Sequence, residues 1–221
     1  DLRAPKAMAR MVQGDVGSGK TAIAFAAIAL AHAGGWQSAL MAPTEVLARQ
    51  HYDAAVKLLE PMGIRVGLLV GSLTPKQHRL AHEAIASGEW DLAIGTHALI
   101  TEGVEYKNLG LVVTDEQHRF GVRQRSMLSE KGDAPNVLVM SATPIPRTLN
   151  MAMSGLRDMS TLEEPPQDRM PVQTYVMEHD WDIVADAIRR EIQRGGQVYY
   201  LHNVVDSIER TAARIADAAG V

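Results

Sequence analysis

The stretch Gly14-Asp15-Val16-Gly17-Ser18-Gly19-Lys20-Thr21 constrains the fold more than any other part of this chain. It satisfies the pattern G-x-x-x-x-G-K-[ST], after a short apolar run and ahead of an alanine-rich segment. Glycines let such a loop curl until successive backbone N–H groups point inward at phosphate oxygens. A helix that begins where the loop ends adds the positive end of its dipole. Lys20 is suited to neutralising β- and γ-phosphates, and the Thr21 hydroxyl to ligating Mg2+. A chance glycine-rich turn is the bland alternative, and the strand and helix patterns on either side count against it.

A phosphate loop of this kind joins a buried strand to a helix, and the rest of the chain repeats that alternation. Short apolar runs at residues 10–13, 38–41, 66–70, 92–94, 111–114, 137–140, 173–177 and 198–201 read as strands buried on both faces. Helical segments lie between them. Thr74-Pro75-Lys76-Gln77 is a capping box with proline at the first helical position, and that helix is expected to stop near Gly88. Gly34-Gly35 and Gly195-Gly196 terminate two others. The expected class is α/β, a mainly parallel sheet with helices on both faces.

The segment EEPPQDRMP, residues 163–171, holds three prolines and four charges and cannot enter a core element. It is expected to be a linker between a complete α/β domain at residues 1–162 and a second unit at residues 172–221. That second unit is too short for an α/β domain of its own, so the chain reads as part of a longer protein. With 221 residues and 46% hydrophobic content a full core is affordable, and no apolar run reaches membrane-spanning length. The chain has no cysteine, which excludes disulfides and thiolate metal sites and fits a cytosolic protein. A net charge of −4 means that any nucleic-acid contact must come from local groups such as backbone N–H and a few arginines. Aromatic residues make up only 5%, so a base-stacking platform is not indicated.

The run GLVVTDEQHRFGVRQR, residues 110–125, ends an apolar strand in Asp115 and Glu116. Adjacent carboxylates at a strand tip are costly without a positive partner. A phosphate-loop protein needs an acid at the end of a second strand for its Mg2+, and Asp115 is the candidate. Glu116 is then placed to polarise an attacking water as general base. A solvated strand end is the ordinary reading of Asp-Glu alone.

Five segments occur in order: GDVGSGKT, MAPTEVLARQH, IGTHALI, DEQHRFGVRQR and SATPIPRT. They resemble motifs I, Ia, Ib, II and III of the superfamily-2 helicases of the RecG and Mfd branch. The resemblance covers nearly the whole chain. It implies a RecA-like first motor domain at residues 1–162 and the start of a second at 172–221. It also implies ATP and Mg2+ as cofactors, and ATP-driven movement on double-stranded or branched DNA in recombination and replication-fork repair, in the bacterial cytoplasm. The site residues it implies are Gly14 to Thr21 for the nucleotide, with Lys20 and Glu116 catalytic and Thr21 and Asp115 on the metal. Gln117, His118, Ser141, Ala142 and Thr143 are implied as the coupling between nucleotide and DNA. Pro43, Thr44, Gly95, Thr96 and His97 are implied as contacts to the DNA backbone, although Thr44 equally suits a helix cap. Arg119, Arg123 and Arg125 suit a solvated helix face as well as a DNA or interdomain role. Tyr199 and Tyr200 are read as strand residues.

The wording from the phosphate loop to SATPIPRTL is similar to RecG, notably at Gln117, where Mfd proteins usually carry a second glutamate. The later NMAMSGLRDMS and GGQVYYLHN are similar to Mfd, whose partner would include RNA polymerase. The segments nearest the chemistry favour the RecG-like reading. Motifs V and VI, with the arginine that completes the ATP site, are not among these residues, so the stretch alone is expected to hydrolyse ATP weakly or not at all. Two other classes stay open: a phosphate-loop enzyme such as a small-molecule kinase, and a non-catalytic docking module.

Overall fold

The computed structural model describes residues 6–101, 103–115, 131–132, 134–142, 158–163 and 172–220, together with Leu2 and Ala4. The chain divides into two units, residues 1–169 and 170–221.

The first unit is built on a seven-stranded sheet. Its strands are β1 (Ala9–Gly14), β2 (Gln37–Met41), β3 (Val66–Leu69), β4 (Leu92–Gly95), β5 (Leu109–Asp115), β6 (Asn136–Ser141) and β7 (Asp158–Leu162). They lie in the order β3-β4-β2-β5-β6-β1-β7, and every pairing is parallel. Parallel neighbours require crossovers, and α1 (Lys20–Ala33), α2 (Glu45–Leu59) and α3 (Pro75–Ser87) supply three of them. The period-2 alternation of side chains divides the core between the two faces. Leu40, Leu92, Ile94, Leu111, Val113 and Leu138 pack with Phe25 and Ile28 of α1 and with Ala48 and Ala55 of α2. Ala39, Met41, Ala93 and Val112 pack instead with Ala81 and Ile85 of α3 and with Leu99. The expected α/β class is therefore what forms.

Local signals act where the sequence places them. Thr74 and Gln77 close a reciprocal capping box, Pro75 opens α3, and Gly88 ends it in the left-handed region at φ 76°. Gly34 caps α1. Two glycines are needed for space rather than for φ. A Cβ on Gly67 would meet the Trp90 ring at 1.9 Å, and one on Gly95 would meet the Leu69 carbonyl oxygen at 2.0 Å.

Strand β7 was not expected. Its sequence DMSTL is polar and partly exposed, and its pairing with β1, not its pattern, makes it a strand. Arg10 of β1 reinforces the pair by donating to Ser160 Oγ at 2.7 Å.

The second unit holds α4 (Trp181–Gln193) and α5 (Ile208–Ala219), which pack on each other. Asp180 caps α4 by accepting from the backbone N–H of Asp182 and Ile183. The Arg214 guanidinium lies 4.1 Å from the centre of the Trp181 ring, a cation–π contact between the helices. The strands expected at residues 173–177 and 198–201 do not form. They pair with no strand among the described residues, and Val176, Tyr199 and Leu201 stand almost fully exposed. A strand exists only through its ladder, and apolar, β-branched composition cannot supply the neighbour. Residues 164–171, most of the expected linker, lie outside the described residues. Among the described residues no helix is long and apolar enough to cross a membrane.

The Gly67 contact yields a test. Gly67→Ala must displace the Trp90 ring and is expected to cost about 1–3 kcal/mol. The shift in urea midpoint at unchanged slope measures it; an unchanged midpoint would show that the ring moves aside freely.

Candidate functional site

Because all strands run the same way, their C-terminal ends share one edge of the sheet, and the candidate residues gather there. Strand β1 delivers Gly14 to this edge. Beyond it Gly17 and Gly19 take φ values of 83° and 93°, a region that side chains disfavour. Gly19 is also the N-cap of α1, with no side-chain cap. Gly14 is packed closely enough that a Cβ would meet Ser18 Oγ at 2.5 Å and Leu162 Cβ at 2.9 Å. The Ser18 and Val16 amides turn back onto the Asp15 carbonyl (3.2 Å) and carboxylate (2.8 Å). Lys20 Nζ donates to the Gly14 and Asp15 carbonyl oxygens, both at 2.7 Å, so its ammonium is drawn across the loop. Thr21 follows in the first turn of α1.

Several features fit a phosphate group. The loop has left-handed glycines, a cation folded into it and an uncapped helix start. The Ser18 hydroxyl is sequestered there without a hydrogen-bond partner among the described residues. For a divalent cation the donors available are hard oxygens, the Thr21 hydroxyl and the Asp115 carboxylate, which is the set Mg2+ takes beside phosphates.

Asp115 ends β5, and a single strand, β6, separates β5 from β1. The register places Asp115 opposite Met140 and Gln13 opposite Ser141. Two strand spacings amount to roughly 10 Å, so the loop and Asp115 flank the end of β6. Ser141 is buried at that end and Ala142 follows it.

The carboxylate has a partner that the sequence reading did not name. Asp115 Oδ2 lies 2.8 Å from His51 Nε2, and both side chains are largely buried. A carboxylate only accepts, so Nε2 carries the shared proton. A signal for this was present. On α2 the buried positions are Ala48, His51, Ala55 and Leu59, so His51 is the one polar residue on the stripe that faces the sheet.

The two segments assigned to DNA also come together. Strands β2 and β4 are neighbours, and Ala42 N–H donates to the Gly95 carbonyl at 2.8 Å, which places Pro43-Thr44 beside Gly95-Thr96-His97. Thr44 caps α2, its hydroxyl accepting from Leu47 N–H at 3.3 Å. Thr96 is buried and His97 is exposed. The next residue of α2, Glu45, accepts from the Ser72 hydroxyl and from Arg49, and these bonds hold its carboxyl below the usual range. Glu116, Gln117, His118 and Thr143, with Arg119, Arg123 and Arg125, lie outside the described residues.

Comparisons with known proteins place the chain by family and fold. The chain is 46% identical over 211 residues to the ATP-dependent DNA helicase RecG of Bacillus subtilis, covering 95% of this chain and 31% of that protein. It is equally 46% identical over 215 residues to the transcription-repair-coupling factor of Haemophilus influenzae, covering 97% of this chain and 19% of that protein. A solved structure of RecG bound to a three-way DNA junction superposes with a TM-score of 0.80 at 41% identity, over 99% of this chain and 29% of that one. The sheet and its flanking helices thus form a RecA-like fold that matches the helicase domain of RecG. The chain spans less than a third of the length of each of these relatives. Residues 4–152, from just before β1 to beyond β6, match the family model for DEAD/DEAH box helicases, and the chain belongs to that family.

Proposed function

We propose that this chain is the motor of an ATP-dependent DNA helicase or translocase, of the RecG type that acts on branched or double-stranded DNA in recombination and fork repair. The observation that carries the proposal is the common edge. Lys20 and its loop, Asp115 across β6, and the paired Thr44 and Gly95 turns all open on one side of a single parallel sheet. A small-molecule kinase would have no use for the second pair of turns.

In this reading Lys20 exchanges the Gly14 and Asp15 carbonyls for the β- and γ-phosphate oxygens of ATP. The loop N–H groups from Asp15 to Gly19 orient the phosphate chain. Thr21 and Asp115 hold Mg2+, which when bound offsets the charge that develops on the phosphates. Glu116 takes the proton of the attacking water. Ser141, Ala142, Thr143, Gln117 and His118 pass the state of that site to the DNA. Pro43, Thr44, Gly95, Thr96 and His97 contact DNA phosphates through the helix start and loop N–H groups. Residues 1–162 form the first motor domain, 163–171 the linker, and 172–221 belong to a second RecA-like domain. The bacterial relatives support a cytoplasmic location.

A second reading is the motor of a transcription-repair-coupling factor, with RNA polymerase as a further partner. Equal identity to the Haemophilus influenzae protein favours it, as does the run from Asn150 to Ser160. Recruitment of RNA polymerase by the protein in a pull-down, against DNA-fork regression without polymerase, separates the two.

Two outcomes test the site, both measured on the full-length protein. Lys20→Ala is expected to lower ATP hydrolysis by about 10²–10³-fold, as loss of one preorganised donor does; a steady-state rate near wild type contradicts the assignment of the loop. Glu116→Gln is expected to lower hydrolysis by about 10²–10⁴-fold while fluorescent-ADP affinity is retained. A parallel loss of binding and turnover would remove Glu116 from the role of base.

A further inference from the structure

We infer that His51 is a positioning residue for the Mg2+ carboxylate: its Nε2–H fixes Asp115 and ties it to helix α2, whose capped end is the Pro43-Thr44 turn. The inference rests on the assignment of Asp115 to the metal made above.

The bond is 2.8 Å long, between side chains that are 11% and 14% exposed, and it joins residues far apart in sequence. A hydrogen bond to a carboxylate in such a sheltered place is stronger than one in water and is costly to leave unmade. It removes the freedom of the Asp115 side chain to swing about its rotamers. Carboxylates that ligate metals depend on outer partners of this kind, and losing the partner typically weakens metal binding by about 10–100-fold.

A satisfied core histidine is the bland reading of a buried imidazole. It accounts poorly for the choice of partner. Helix α2 otherwise turns Ala48, Ala55 and Leu59 to the sheet, small or apolar residues that pack without polar demands. The single polar residue of that stripe meets the carboxylate of Asp115, the last residue of β5.

Its position on α2 has a second consequence. His51 lies seven residues beyond Thr44, about 10 Å along the helix axis. A rigid element of under two turns therefore joins the candidate DNA turn to the candidate metal carboxylate. A shift of α2 on engaging a phosphate moves the donor that holds Asp115. This link runs along α2 to Asp115 and does not use the coupling residues expected after β5 and at the end of β6.

Mn2+ titration of the ADP-bound protein, followed by electron paramagnetic resonance, tests the inference. His51→Leu fills the space without a donor and is expected to weaken Mn2+ binding by about 10–100-fold. His51→Gln keeps a donor and is expected to recover most of that loss. If His51→Leu does not fold, His51→Asn, whose amide stops short of Oδ2, replaces it. Unchanged Mn2+ affinity in the loss variant overturns the inference, as does an equal loss in His51→Gln, which would indicate packing alone. Asp115→Asn separates the two levels. If it binds Mn2+ as wild type does, the metal assignment of Asp115 fails and the inference falls with it. If it weakens binding while the His51 variants do not, only the positioning role of His51 fails.

Discussion

The parallel register of β1, β6 and β5 is the constraint on which the rest depends. Backbone hydrogen bonds along these strands place Gln13 opposite Ser141 and Asp115 opposite Met140. A one-residue slip would move each side chain to the opposite face of the sheet and shift the carboxylate relative to the Gly14–Thr21 loop. The register is protected because β5 and the end of β6 are buried, with Leu111 and Val113 toward α1 and Val112 toward α3. Core packing and site geometry are in this sense one requirement. The same two-sided packing that buries the sheet fixes where the strands deliver Lys20 and Asp115.

The edge of the sheet is also where polar groups concentrate against that apolar interior. Lys20 is held by two carbonyls of its own loop, and Asp115 is held by His51. Each of these two charges thus has a local partner on the protein. For Lys20 that partner is a pair of neutral carbonyls, and in the proposed function a phosphate oxygen would replace them at little cost, because a full negative charge is the better acceptor. For Asp115 it is an imidazole from another element, so the carboxylate is fixed before any cation arrives.

Much of this was readable in the sequence, for reasons that are local. The Gly14–Thr21 turn and the start of α1 declare themselves because glycines that take positive φ stand directly ahead of the helical run. The α3 boundaries declare themselves through Thr74, Gln77 and Gly88, each acting within one turn. Strands buried on both faces show as continuous apolar runs. What could not be read depends on distant partners. Strand β7 is polar and exists because β1 offers an edge, whereas residues 173–177 and 198–201 have strand-like composition but no ladder. His51 lies inside the segment MAPTEVLARQH, yet nothing local gives it a role, because its partner is on a strand distant in sequence. Its polarity on an apolar helix stripe was the available sign.

The central claim is that the Gly14–Thr21 loop and Asp115 form one nucleotide–metal site across β6. Anomalous diffraction from crystals grown with ADP and Mn2+ tests it most directly. The account predicts one manganese peak between the Thr21 hydroxyl and the Asp115 carboxylate, with the ADP phosphates on the loop N–H groups and Lys20. Phosphates bound elsewhere, or a manganese site that involves neither Thr21 nor Asp115, would contradict it.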